Sequence, residues 1–262
     1  MREIMYDQSS VAIAVALFVS MMIVVEIGYR LGTRTSGKAS EPTKAQINTI
    51  QGSLLGILAL LLGFTFSLAL QRFDARSVAV VDEANAIGTT ALRAQLLPDP
   101  LKAEVTDLLK QYTDNRVGAA TVALDHEEQR AVLLTEGSQL LDQLWLKAIE
   151  SAEMDGGPVR SGLFIQALND MIDEYTNRDA VLSRHVPELV LMLLHGTFLM
   201  TGLLVGYASG VSGHRASFVS YILIGLIVLL VFIIIDLDRP RRGLIEVDQK
   251  SLLDLQRSLN RP

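Results

Sequence analysis

Between Ile50 and Leu70 the chain carries 21 consecutive residues without a charge, IQGSLLGILALLLGFTFSLAL, and no Pro follows until Pro98. At about 1.5 Å of rise per residue, a helix of that uncharged part is about 30 Å long, the thickness of a bilayer's hydrocarbon core. The continuation from Gln71 to Leu97 is polar, so it projects into water as the rest of one long helix. Along the apolar part Gly52, Gly56, Ala59, Gly63 and Ser67 recur at three- and four-residue spacing. One face is therefore nearly bare backbone, and in lipid such a stripe lets helices approach closely. The segment 50–97 reads as a central helix around which the other spans pack.

Composition supports a membrane protein. Half of the residues are hydrophobic and the mean hydropathy is +0.34, too apolar for an ordinary soluble domain of this length. Cys is absent, which excludes a disulfide framework, a thiolate metal site and a catalytic thiol. The four His, at 126, 185, 195 and 214, have no metal-ligand spacing. The formal charge of −6 is uneven: residues 71–186 hold 11 Lys and Arg against 19 Asp and Glu, a net of −8. Nothing in that stretch makes the basic footprint that nucleic acid needs.

Three further spans are expected, at Val11–Tyr29, at about Glu188–Tyr207, and at Phe218–Ile235. The first could be a signal peptide, but its positive region is weak and no small-x-small cleavage site follows, so it reads as a retained anchor. A polar loop, Arg30–Thr49, precedes the central helix. After Pro98 the periodicity predicts amphipathic helices from Leu101 to Tyr112, from about Val117 to Met154 and from Val159 to Leu182, with no alternating β pattern. The expected organisation is thus 1–70 with two spans, 71–186 as a helical bundle, 187–236 as a transmembrane hairpin and 237–262 as a tail. Near the membrane, nine Lys and Arg flank the side of the insertion and termini and five flank the other. That asymmetry predicts cytoplasmic termini and a cytoplasmic bundle in a multi-pass protein of the bacterial inner membrane.

No phosphate-binding loop, nucleophile elbow, dinucleotide fingerprint or zinc signature is present. No enzyme, cofactor or metal is expected. Glu26 and His195 are ionisable groups in or near spans, and such groups are functional candidates by default. Glu26 is close enough to the interface to be solvated, while His195 reads as a buried neutral imidazole. Asp236, Asp238, Arg239, Arg241 and Arg242 read as fixing the end of the fourth span.

Leu62-Gly63-Phe64 followed by Arg72-Phe73, at the end of a membrane helix that runs on into water, resembles the pore helix of bestrophins. The wider runs QGSLLGILALLLGFTFSLALQRFDAR, VDEANAIGTTALRAQLLP and IIDLDRPRRG resemble a bacterial family described as bestrophin-like, over nearly the full chain. The resemblance implies an all-α, four-span protein that assembles with itself, as a pentamer, into an ion channel in the lipid bilayer. Carried over by position, the pore neck falls on Gly56, Leu60 and Phe64. Gly56 departs from the pattern, because bestrophins place a larger apolar residue there, and the acidic run of the eukaryotic calcium clasp is missing. The plainer reading of Leu60 and Phe64 is lipid-facing or packing bulk. Below the neck, Arg72 and Arg76 would form a ring attracting anions, or else anchor the helix at the interface. The helical period instead offers Asp74 and Asp82, which would favour cations. A non-conducting membrane-anchored scaffold, whose acidic bundle binds a partner, is the alternative function.

Overall fold

The computed structural model describes residues 10–38, 40–122, 126–154, 159–215, 217–239 and 244–261. Among them the chain is all helical, and the helices divide between two compact units, Met1–Arg72 with His185–Ile245 and Phe73–Arg184 with Glu246–Pro262.

The first unit contains α1 (Ser10–Thr35), the beginning of α2 (Glu41–Ala94), α6 (Glu188–Val211) and α7 (Phe218–Asp238). All four helices are long and apolar enough to cross a membrane. The expected loop at 30–49 is much shorter than the polar composition suggested: α1 runs on to Thr35, a 3-10 turn covers Ser36–Lys38, and α2 starts at Glu41. Ser40 makes this possible. Its Oγ accepts from Thr43 N–H at 3.4 Å, and its carbonyl accepts from Lys44 N–H at 3.1 Å. Pro42 then lies in the first turn, where its missing N–H costs nothing.

The heart of this unit is the contact of α1 with α6, and glycine creates it. A Cβ placed on Gly28 or Gly32 would overlap the carbonyl oxygen of Leu203 or Tyr207; one on Gly206 or Gly210 would overlap that of Val25 or Tyr29. Partner numbers rise together along both helices, so α1 and α6 run parallel. Met21, whose sulfur lies against Gly202, is buried along with Val25, Phe198 and Val205 of the same two helices, and α7 packs on α1.

The second unit comprises the rest of α2 with α3 (Leu101–Thr121), α4 (Glu127–Met154), α5 (Val159–Leu182) and α8 (Lys250–Leu259). Its core joins Val80, Ile87 and Ala91 of α2 to Val105, Leu109 and Tyr112 of α3, Leu144 of α4, Phe164 and Leu168 of α5, and Leu252 of α8. Thr90 Oγ1 donates to Ala167 O at 3.0 Å and Arg93 Nη1 to Leu163 O at 3.0 Å, tying α2 to α5. The helix expected to begin near Val117 is instead two: α3 continues to Thr121 and α4 starts at Glu127. Arg116 hid that continuity. It occupies the buried face one turn after Tyr112, where an apolar period has no place for a charge. The turn expected at 155–158 lies outside the described residues.

Candidate functional site

Within α2 the apolar stretch has two unlike faces. Leu58, Leu62, Thr65 and Ala69 are buried, and Thr65 keeps its hydroxyl satisfied by donating to Leu61 O at 2.7 Å. The other side carries the candidate neck: Leu60 is 60% exposed and Phe64 62% exposed. A Cβ on Gly52, Gly56 or Gly63 would meet nothing within 4 Å, and Ala59 and Ser67 are also exposed. Neck and small-residue stripe therefore share one outward side of α2, and none of it is used for packing inside the subunit. The close backbone approach within the subunit is made by glycines the sequence reading passed over, although Gly28-x3-Gly32 and Gly202-x3-Gly206-x3-Gly210 carry the same small-residue signal.

Arg72, the charge candidate nearest the neck, is half-buried. In the second unit Asp74 is exposed and Asp82 half-buried. Arg76 is different: it is 2% exposed, and its Nη2 donates to Arg184 O at 3.0 Å. This guanidinium is an internal tie and not a charge presented outward, because the helical period turns residue 76 to the side of Ala69, Val80 and Glu83. Beyond the membrane-length part, Val78, Val81 and Leu92 are exposed apolar residues on α2.

Unpredicted by the sequence reading, a buried ionic group lies deeper in the second unit. Glu83 of α2 is fully buried, accepts from Arg116 Nε at 2.5 Å, and pairs with Arg178 Nη1 through its other oxygen. Arg178 Nη2 donates to Gln249 Oε1 at 2.9 Å, and the Arg116 guanidinium lies 4.7 Å over the Tyr175 ring. Burial, the largest single influence on Arg116, works against its charge, but the Glu83 carboxylate, helped by the Tyr112 and Tyr175 phenols, more than offsets it and the pKa ends raised. Burial dominates at Arg178, whose pKa is lowered, and burial also drives the Tyr112 phenol up, well beyond its ordinary range. The sequence signal was available in the register of Glu83 with Val80 and Ile87, a carboxylate on the apolar side of its helix.

At the end of α7, Asp236 and Asp238 are buried and hold backbone. Asp236 Oδ2 accepts from Leu244 N–H at 2.8 Å and Ile245 N–H at 3.0 Å. Asp238 Oδ1 accepts from Val186 N–H at 2.9 Å. Their expected role at the end of this span is met by these bonds, while Arg241 and Arg242 lie outside the described residues. His195, expected to be a buried imidazole, is instead exposed: it follows the buried Leu194 on α6 and falls off the face that Leu194, Thr197 and Phe198 bury, with its ring 6.0 Å from that of Phe198. Glu26 binds Arg30 Nε at 2.9 Å near the surface. Among the described residues no three His, Cys, Asp or Glu converge to hold a metal ion.

A sequence profile of the Bestrophin-like domain family matches residues 13–252. No curated protein matches the sequence. Two solved structures of point variants of a bacterial bestrophin homologue from Klebsiella pneumoniae superpose with a TM-score of 0.66; one is 14% identical, covering 92% of this chain and 97% of its own, and the other 13% identical, covering 97% and 98%. A third, described only as a membrane protein, has a TM-score of 0.62 at 14% identity, with 93% of this chain and 97% of the other covered. At these identities the likeness concerns the fold: an all-α membrane protein with four transmembrane helices.

Proposed function

The chain belongs to the bestrophin-like domain family, whose characterised members are ion channels, and on that premise we propose that it is a homo-oligomeric channel of the bacterial inner membrane with its pore lined by α2. The observation that carries this reading is the outward side of that helix. Leu60 and Phe64 project from it with Gly56 one turn before, and the same helix goes on to expose Val78, Val81 and Leu92 beyond the span. Lipid would account for the first group; water leaves the second group uncovered, whereas neighbouring copies around an axis cover it. Five copies is the number that the bestrophin resemblance supplies.

In this ring Leu60 and Phe64 form the neck, an apolar constriction that blocks ions by dewetting, and Gly56 widens its upper end. Below it the exposed carboxylate is Asp74, with Asp82 two turns further, while Arg72 supplies the opposing charge. Both termini and the 71–186 insertion are cytoplasmic by the basic asymmetry.

Reconstitution into a planar bilayer tests the proposal. Replacing both Leu60 and Phe64 by Ala raises unitary conductance if they form the neck. An assembled ring whose conductance is unchanged by the pair removes the neck from these residues, and a ring that carries no current under any voltage favours the scaffold.

A further inference from the structure

Two guanidiniums converge on one carboxylate in the second unit. Arg116 and Arg178 are 4% and 2% exposed, and Glu83 is fully buried. Glu83 is also the carboxylate whose field acts on both arginines; Asp179, the next acid in reach of the cluster, acts on Tyr175 and is matched by Arg130 at 3.5 Å. Two guanidiniums thus share one carboxylate, an excess of one positive charge at an almost wholly buried position. A second observation is independent of that sum. Tyr112, one helical turn before Arg116 on the same face of α3, is 0% exposed, and its hydroxyl has no hydrogen-bond partner. Burial keeps this phenol protonated, so its O–H is a donor in need of an acceptor.

Each of these features is costly alone. An unpartnered buried hydroxyl loses its water without replacement, and an uncompensated buried charge is penalised more heavily. One species cures both. It must accept a hydrogen bond from Tyr112 and carry a negative charge beside Arg116. Water meets only the first demand, whereas a halide meets both with a single atom.

We propose that the second unit holds one small monovalent anion of the halide class, bound between the Tyr112 hydroxyl and the Arg116 guanidinium. Arg178 is committed elsewhere, with Nη1 on Glu83 and Nη2 on Gln249, so it contributes field and not contact. The bound ion is structural: it neutralises the cluster that joins α2, through Glu83, to α3 and α5. It does not depend on α2 lining a pore.

The test uses the purified full-length protein in detergent at fixed ionic strength, with chloride, bromide or gluconate as the anion. Thermal unfolding is expected to move up by on the order of 5 °C in chloride or bromide relative to gluconate, saturating with halide concentration. Tyr112→Phe, which removes the donor and keeps the ring, is expected to lose most of that difference. A halide response of equal size in Tyr112→Phe overturns the proposal, because the ion then acts elsewhere, and so does a wild type indifferent to the anion. Crystals grown in bromide give a measurement that no folding defect confounds. An anomalous peak within hydrogen-bond reach of Tyr112 Oη supports the site, and its absence at full occupancy of the protein overturns it.

Discussion

Gly206 has no room for any side chain, because its α-carbon faces the backbone of α1 at Val25, and Gly28 makes the reciprocal approach to Leu203. Adding even a methyl group there separates two helices along their whole seam. Overpacking of this kind costs about 1–3 kcal/mol in cores that can relax, and a backbone carbonyl relaxes less than a side chain. Gly206→Ala is therefore expected to lower the melting temperature by on the order of 5 °C, measured on the detergent-solubilised protein. Ala at Gly196, where an added Cβ meets nothing within 4 Å, is the matched control and should leave it unchanged. Tyr112 makes a pH prediction. Its folded pKa is raised by burial above the unfolded value of 10.0, so what the buried phenol contributes is fully present below about pH 10 and is lost as pH rises beyond it. Melting curves of Tyr112→Phe should accordingly fall less steeply than wild type on the alkaline side of about pH 10.

Among the elements, α2 and the group around Glu83 are the most consequential. Replacing Glu83 by Gln leaves Arg116 and Arg178 facing one another without their counter-charge, a loss of about 3–5 kcal/mol for breaking a buried pair from one side. Thermal melts should show the second unit destabilised well beyond any change at exposed Asp74. A Glu83→Gln protein as stable as wild type would mean that the arginines are neutralised by something other than Glu83. The four spans and α5 could be read from the sequence because long uncharged runs and an intact apolar period leave little choice. The division of α3 from α4 could not, since Arg116 interrupts the apolar period at a buried position and Gly118 mimics a breaker. Leu60 and Phe64 were singled out by the resemblance alone, which left open whether they face outward or pack, and the inward placement of Arg76 was not legible either. At an interface a sequence does not say whether a guanidinium snorkels to water or bonds a carbonyl such as that of Arg184, 108 residues away.

At the scale of the whole molecule, the parallel run of α1 and α6 constrains topology. Two parallel spans need an odd number of crossings between them, and α2 supplies one, so the stretch following α2 returns to the side from which α1 entered. Reporter fusions at Asp155 and at Lys38 should therefore report opposite sides, and the basic asymmetry predicts Asp155 inside; finding Asp155 outside the cell overturns that orientation. Assembly is where the two sets of glycines part company. Those of the α1–α6 seam are used up within one chain, whereas Gly52, Gly56 and Gly63 face open space in it. A bulky residue at Gly63 has no intrasubunit neighbour to displace, and Leu is favourable at mid-bilayer, so Gly63→Leu should insert and fold as one chain. Close approach of helices in lipid depends on backbone proximity, with little hydrophobic drive to compensate for a gap. If the outward side of α2 meets neighbouring copies, Gly63→Leu therefore weakens the ring while sparing the subunit, and native mass measurements should show smaller species at an unchanged helical content. A full-size ring in the variant, with wild-type thermal stability, would place Gly63 toward lipid or an open lumen and leave subunit contacts to other faces.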